Sequence, residues 1–267
     1  MSDRTIDRHL LLISYYFAPT PSVGSVRAGG IAKFLPQFGW RVTVVTPGRP
    51  ERSVPNSSIR ETGDASLAAN LKGWLGLSTD TALKDAWAAS TRDTRARLRA
   101  RVIEFVKGVV AVPDTYRGWV RHATTTARAV FREDPFDTVL TTSPPVSAHL
   151  VGRAVAKSCG VPWVADLRDL WSNDRNSTAP RWRRSIDRRI ERRLLRDSSA
   201  LVTVSEPLAR ELRVLHPRLP VHSILNGFDP DKRALAKGLT ADFTLTHTGT
   251  FYQGRRDPTL LFEALAH

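Results

Sequence analysis

The sequence predicts an α/β protein, a parallel sheet with helices on both faces. Three observations carry that expectation. Short runs rich in β-branched residues alternate with stretches at helical spacing along most of the chain. Polar groups or Gly/Pro turns follow five of those runs, at the edge where an open parallel sheet binds its ligands. A hydrophobic content of 41% over 267 residues is enough for a globular core.

The first strand reads from HLLLISYY (9–16) and is followed by the loop FAPTPSVGSVR (17–27). AGGIAKFLPQFG (28–39) sets Ile31, Phe34 and Leu35 at helical spacing, with Gly39 as its stop. WRVTVVTP (40–47) is the second strand. The stretch 48–118 opens as a loop with several Pro, Ser and Gly residues, then carries an Arg-rich helical pattern near 82–110, read as a solvated insertion helix. DTVLTT (137–142) is a strand ending in SPP (143–145), and VSAHLVGRAVAKSCG is the helix after it. VPWVAD (161–166) runs into DLRD (166–169), so a core strand ends in three charges. The helix RWRRSIDRRIERRLLR (181–196), the strand ALVTVS (200–205), the helix EPLARELRVL and the strand VHSILN (221–226) complete the alternation, and NGFD (226–229) follows.

Composition limits the function classes. The one cysteine, Cys159, excludes an internal disulfide and fits a reducing compartment. The first nine residues are polar, and the apolar run 10–13 is too short for a signal peptide or a membrane span. A cytoplasmic protein is expected, peripheral at the inner face of the plasma membrane. The formal net charge of +14, mostly arginine, attracts polyanions: nucleic acid, acidic lipid headgroups or phosphorylated small molecules. An Arg/Ala-rich genome is the plain alternative. Seven scattered histidines make no metal-ligand spacing. Gly-x-Gly-x-x-Gly is missing after the first strand, which sets aside a dinucleotide-dependent dehydrogenase. Neither a Gly-x-Ser-x-Gly elbow nor a P-loop occurs, and aromatics do not interleave with basic residues as on an RNA-binding sheet.

Three stretches carry candidate chemistry. Gly24 lets backbone approach a ligand, the following helix start offers N–H groups to an anion, and Arg27 adds a fixed charge. Arg168 can clamp a phosphate or an acceptor oxygen at two points, while Asp166 or Asp169 orients or deprotonates an acceptor hydroxyl. A structural Asp–Arg pair closing the DLRD loop is the alternative. In 181–196, Trp182, Ile186, Ile190 and Leu194 recur every fourth residue in a field of eight arginines. That stripe reads either as packing inward on the sheet or as an interfacial helix on anionic membrane.

The segments YYFAPTPSVGSVRAGGIAKFLPQFGWRVTVVTP, TTSPPVSAHLVGRAVAKSCGVPWVADLRDLW, VTVSEPLARELR and ILNGFDPD resemble, in order and spacing, the N-terminal half of family 4 glycosyltransferases. These are retaining, nucleotide-sugar-dependent enzymes of GT-B fold. The resemblance covers nearly the whole chain outside 48–118, and FTLTHTGTFYQGRRDP (243–258) resembles the first strand and glycine loop of the family's second domain. It implies a Rossmann-like acceptor-side domain over 1–226 and a truncated nucleotide-sugar-binding domain over 227–267. The family's donor-side Arg/Lys pair and its paired glutamates fall beyond residue 267, so this chain alone is expected to be inactive.

Roles follow from the resemblance. Asp166, Arg168 and Asp169 are the expected catalytic residues. Gly24, Ser25 and Arg27 are expected to face the donor diphosphate, and Asn226, Gly227, Gly249 and Arg255 to continue the donor side. Ser143 and Pro144 are expected on the acceptor side. Neither metal nor cofactor is implied. The expected partners are a nucleotide-sugar donor, a glycan or lipid-linked acceptor and an anionic membrane surface, with no nucleic acid; the donor domain is expected either from the rest of a longer chain of which this is a fragment or from a separate chain. The alternative is a non-catalytic module that binds acceptor or membrane.

Overall fold

The computed structural model describes residues 8–17, 23–48, 57–64, 112–174, 179–232, 242–248 and 257–266. The chain divides into two compact units, Met1–Phe228 and Asp229–His267.

The first unit is a seven-stranded sheet with every neighbouring pair parallel. In chain order it holds β1 (Arg8–Ser14), α1 (Val23–Phe34), β2 (Trp40–Thr46), β3 (Ser57–Glu61), α2 (Trp119–Glu133), β4 (Thr138–Ser143), α3 (Ser147–Cys159), β5 (Trp163–Leu167), α4 (Arg181–Leu195), β6 (Ala200–Thr203), α5 (Glu206–Leu215) and β7 (Val221–Ser223). The sheet order is β3-β2-β1-β4-β5-β6-β7. The fold is therefore the α/β, Rossmann-like one expected, and it reverses direction beside β1, where ligands of such sheets collect.

Strand periodicity divides the core. Leu10 and Leu12 of β1 pack with Val42, Val44, Ala28 and Ala32, placing α1 on one face. Leu11 and Ile13, the alternate residues, pack into a larger cluster with residues of α2, α3, α4 and α5. Both faces are thus covered, which is why β1 is buried along nearly its whole length.

α1 begins at Val23, five residues before the helix read from the sequence. Gly24, Ser25 and Arg27 therefore sit on its first two turns and not in a loop. Its buried side is made of small residues, Ser25, Ala28 and Ala32, so the helix axis lies close to the strands. Burial of that small-residue stripe outweighs the weak helix propensity of Val23 and Gly24. Pro36 then ends the α-helix by lacking an N–H, a short 3₁₀ turn follows, and Gly39 closes it at φ 80°, its N–H donating to the Pro36 carbonyl.

β3 and α2 lie where the sequence reading placed no strand or helix. β3 is a polar edge strand whose Arg60 pairs with Glu133 of α2 at 2.9 Å. The Arg-rich pattern near 82–110 lies outside the described residues. β7 ends at Ser223, three residues earlier than expected, and Ile224 and Leu225 are exposed beyond it. α3 lies close on the sheet at Gly152, where a Cβ would overlap the Thr141 methyl and the Trp163 indole.

The second unit holds a 3₁₀ turn, Pro230–Lys232, and the helix α6 (Thr259–Ala266), capped by Asp257 Oδ1, which accepts from the Thr259 N–H and hydroxyl. Residues 243–248, which resemble a first strand, form none: a strand needs a neighbour for its ladder, and the described residues of this unit supply none.

Candidate functional site

The C-terminal ends of β1, β4, β5, β6 and β7 lie along one edge of the sheet. A pocket of about 430 Å³ opens there, within the roughly 300–1,000 Å³ usual for small-molecule sites. Its walls are Tyr16 after β1, Val23, Gly24, Val26 and Arg27 of α1, Pro144 after β4, Arg168 and Asp169 after β5, Val204 after β6, and Asn226 and Gly227 after β7. Gly24, Arg27, Pro144, Arg168, Asp169, Asn226 and Gly227 were expected at the site, and the fold brings them together. Ser25, Ser143 and Asp166 do not line it: all three are buried. Gly249 and Arg255 lie outside the described residues.

The three charges of DLRD have three different environments. Asp166, the fourth residue of β5, is 1% exposed. Its carboxylate accepts Arg27 Nε at 2.9 Å, Arg27 Nη2 at 3.0 Å and the Thr142 hydroxyl at 2.8 Å. An acid so enclosed does not reach an acceptor hydroxyl, so the catalytic role expected for Asp166 gives way to a structural one. A structural Asp–Arg pair does close this loop, but its arginine is Arg27 of α1 and not the neighbouring Arg168.

Arg27 uses its remaining nitrogen on the chain leaving β7. Nη1 donates to the carbonyls of Ile224 at 2.9 Å and Leu225 at 3.1 Å, and to Asn226 Oδ1 at 3.3 Å. The side chain expected to hold a diphosphate instead ties α1, β5 and the β7 exit together.

Arg168 does the same for another set of loops. Nε donates to the Ser143 carbonyl at 2.7 Å, Nη1 to the Gly24 carbonyl at 2.6 Å and Nη2 to the Pro144 carbonyl at 2.8 Å. A planar guanidinium thus bridges the first turn of α1 and the SPP loop. Burial pulls the Arg168 pKa below its ordinary value, and the charges of Asp166 and Asp169 oppose that pull. Its nitrogens end on backbone carbonyls, so the two-point clamp expected for substrate oxygen is a clamp on the pocket wall.

Asp169 differs from both. It is exposed, lines the pocket, and makes no hydrogen bond among the described residues. It is the acidic residue among those that line the pocket. Facing the same pocket, the first turn of α1 brings the positive end of its helix dipole.

Tyr16 and Val204 were not singled out from the sequence. Tyr16 stands two residues past β1, and its hydroxyl shares a 2.8 Å hydrogen bond with that of Tyr116. Burial pushes the Tyr116 phenol up, reinforced by that bond. Position at a strand end was the available signal for both residues.

Behind the wall, His149 of α3 is fully buried, with Nδ1 2.7 Å from the Thr141 hydroxyl, which also accepts the Trp163 indole N–H at 2.8 Å. Burial lowers the His149 pKa from 6.5 to about 3, with the Arg168 charge adding to the effect, so the ring is neutral at physiological pH. Among the described residues, no group of His, Cys, Asp and Glu could hold a metal ion, and no helix is long and apolar enough to cross a membrane.

Comparison with solved structures finds sucrose-phosphate synthase from Thermosynechococcus elongatus similar over 83% of this chain and 49% of its own, at 13% identity and a TM-score of 0.55. At that identity the likeness speaks for the fold alone. MurG of Acinetobacter baumannii is a looser match, over 85% of this chain and 48% of its own, at 11% identity and a TM-score of 0.40. The Streptomyces sp. SF2575 glycosyltransferase SsfS6, complexed with thymidine diphosphate, matches over 76% and 50%, at 16% identity and a TM-score of 0.42. The chain spans about half the length of these proteins. No curated protein matches. Residues 24–227, from the first turn of α1 to the last residue of the pocket wall, match the family described as glycosyl transferase 4-like domain, and the chain belongs to that family.

Proposed function

We propose that the first unit is the acceptor-side half of a retaining glycosyltransferase, which moves a sugar from a nucleotide-sugar donor to an acceptor hydroxyl. The observation that carries the reading is Asp169, an exposed carboxylate in the pocket that also holds the positive end of α1. Family membership supplies the reaction class. The lining of the pocket supports the division of labour that follows.

Asp169 accepts a hydrogen bond from the acceptor hydroxyl and aims its oxygen at the anomeric carbon. The first turn of α1, with Gly24 allowing close approach, faces the leaving diphosphate and stabilises its charge without a metal. Arg27, Arg168 and Asp166 are positioning residues, holding the walls to which these groups belong. Asn226 and Gly227 complete the rim. The acceptor is a glycan or a lipid-linked sugar of an envelope or exported polymer. The nucleoside's own contacts come from outside residues 1–228, in the family's second domain or in a separate chain.

The test is transfer by the intact protein from a panel of nucleotide sugars, with the product anomer assigned by NMR. A retained anomer, and a loss of about 10²–10⁴-fold in turnover for Asp169→Asn, are expected. An inverted product, or wild-type turnover in Asp169→Asn at saturating donor, overturns the reading.

A further inference from the structure

We propose that α4 lays its solvent face on an anionic lipid bilayer. The helix and its C-cap residue Arg196 carry eight arginines and two acids, and the structure turns both acids inward. Asp187 is 8% exposed and takes Arg183 Nε at 2.9 Å. Glu191 is 1% exposed and accepts the Ser172 N–H at 3.0 Å. Leu194 and Leu195 complete the buried side.

At roughly 100° per residue, the opposite side gathers Arg181, Arg189, Arg192 and Arg193, with Trp182 and Ile186 among them. All of these are exposed, and the face holds no acid. The side chains of Arg181, Arg189, Arg192 and Arg193 make no hydrogen bond or ion pair among the described residues. The every-fourth-residue stripe explains how apolar residues come to lie there. Four residues advance about 400°, so the stripe drifts about 40° at each step. Trp182 is 40% and Ile186 38% exposed, Ile190 is half-buried and Leu194 is 2% exposed. The stripe starts on the solvent side and ends in the core, so it serves both surfaces.

Charge complementarity alone would fit any polyanion. The exposed tryptophan and isoleucine within the arginine field favour a bilayer. An interfacial helix places apolar side chains at the headgroup boundary while arginines extend to lipid phosphates. A nucleic-acid face gains nothing from an exposed isoleucine. β5 ends, and β6 begins, at opposite edges of the sheet, so α4 starts on the edge that holds the pocket. Docking there brings that edge near the membrane, independently of which reaction the pocket performs.

The test is sedimentation of the 267-residue chain with phosphatidylcholine vesicles, with and without phosphatidylglycerol. Binding is expected only to the anionic vesicles and is expected to weaken as salt shortens the Debye length from about 10 to about 3 Å. The double variant Arg189→Gln/Arg193→Gln should bind about 25-fold more weakly, at about fivefold per arginine. Lysine at both positions should preserve binding, and Ile186→Ser should weaken it at every salt concentration. A control that removes the same charge from α2, Arg121→Gln/Arg132→Gln, should bind like the wild type. Equal binding to neutral vesicles overturns the proposal, as does a glutamine pair on α4 no weaker than the pair on α2. Displacement from vesicles by an oligonucleotide at equal charge concentration would assign the face to nucleic acid instead.

Discussion

Arg27 and Asp166 stand 139 residues apart in the chain and meet as a bidentate ion pair, with side chains 9% and 1% exposed. The pair joins α1 to the end of β5, and Arg27 extends the junction to the chain leaving β7. A buried pair of this kind is costly to break from one side, because the remaining charge has no water to return to. Either Arg27→Ala or Asp166→Leu should therefore destabilise the unit by about 3–5 kcal/mol. The double variant should cost clearly less than the sum, because it leaves no unpaired charge. Denaturant titration of the four proteins gives the cycle. Additive losses would mean the two side chains act independently.

Asp166 and Asp169 separate structure from chemistry within one loop. Asp166→Asn keeps the shape but loses the charge that holds Arg27, so stability should fall. Asp169 is exposed and makes no hydrogen bond among the described residues, so Asp169→Asn should change stability by no more than about 0.5 kcal/mol. Turnover should respond the other way, with Asp169→Asn losing about 10²–10⁴-fold in a folded protein. Thermal melts beside a transfer assay read both. A melting point lowered in Asp169→Asn by as much as in Asp166→Asn would remove the distinction.

Arg168 makes a geometric prediction. The three nitrogens of its planar guanidinium reach the Ser143, Gly24 and Pro144 carbonyls. Lysine keeps the charge but offers a single point, so it can satisfy one of these oxygens well and not all three. Arg168→Lys should lose about 1–3 kcal/mol, with KM rising as the pocket wall loosens. Full stability in the lysine variant would show that charge alone suffices.

Much of this fold was legible in the chain, for identifiable reasons. β1, β2, β4, β5 and β6 are short runs rich in β-branched and aliphatic residues, buried along most of their length, and such runs show without tertiary knowledge. α5 begins at Glu206 and ends at Leu215, as read, because Pro207 can stand only in a first turn. β3 was hidden because SSIRE contains a single apolar residue, Ile59. α2 was hidden behind three consecutive threonines, and its buried side is largely Ala123, Thr124, Ala127 and Val130. The gathering of polar residues at one sheet edge was legible from topology. The partner of each charge was not, because sequence spacing says nothing of a contact across 139 residues. Arg168 stands beside Asp166 and Asp169 in the chain but bonds to carbonyls of other loops. Adjacency suggested a clamp for substrate where the fold has made one for itself.

Gly152 tests how closely α3 must approach the sheet. A methyl group there would overlap both the Thr141 methyl and the Trp163 indole nitrogen, the group that donates to the Thr141 hydroxyl. Neither neighbour is the end of a flexible chain, so the helix itself must move outward. Gly152→Ala should cost about 1–3 kcal/mol despite the better helix propensity of alanine. A neutral or stabilising result by denaturant titration would show that α3 can shift without penalty.

His149 predicts how stability depends on pH. Its folded pKa is lowered to about 3 by burial, with Arg168 contributing, whereas an exposed histidine titrates near 6.5. The unfolded chain therefore binds a proton at this residue throughout that interval, while the folded chain does not. By linkage, stability from this group is fully present above pH 6.5 and is lost as pH falls towards 3. The slope approaches about 1.4 kcal/mol per pH unit below the unfolded pKa. His149→Gln removes the titration and retains a side-chain amide that can bond to the Thr141 hydroxyl. It should be less stable than wild type at pH 8, because it packs less well beside Trp163, but should lose less stability on acidification to pH 5. Denaturation curves for both proteins across that range measure the difference. Parallel losses would assign the acid sensitivity to other groups and leave His149 with a packing role alone.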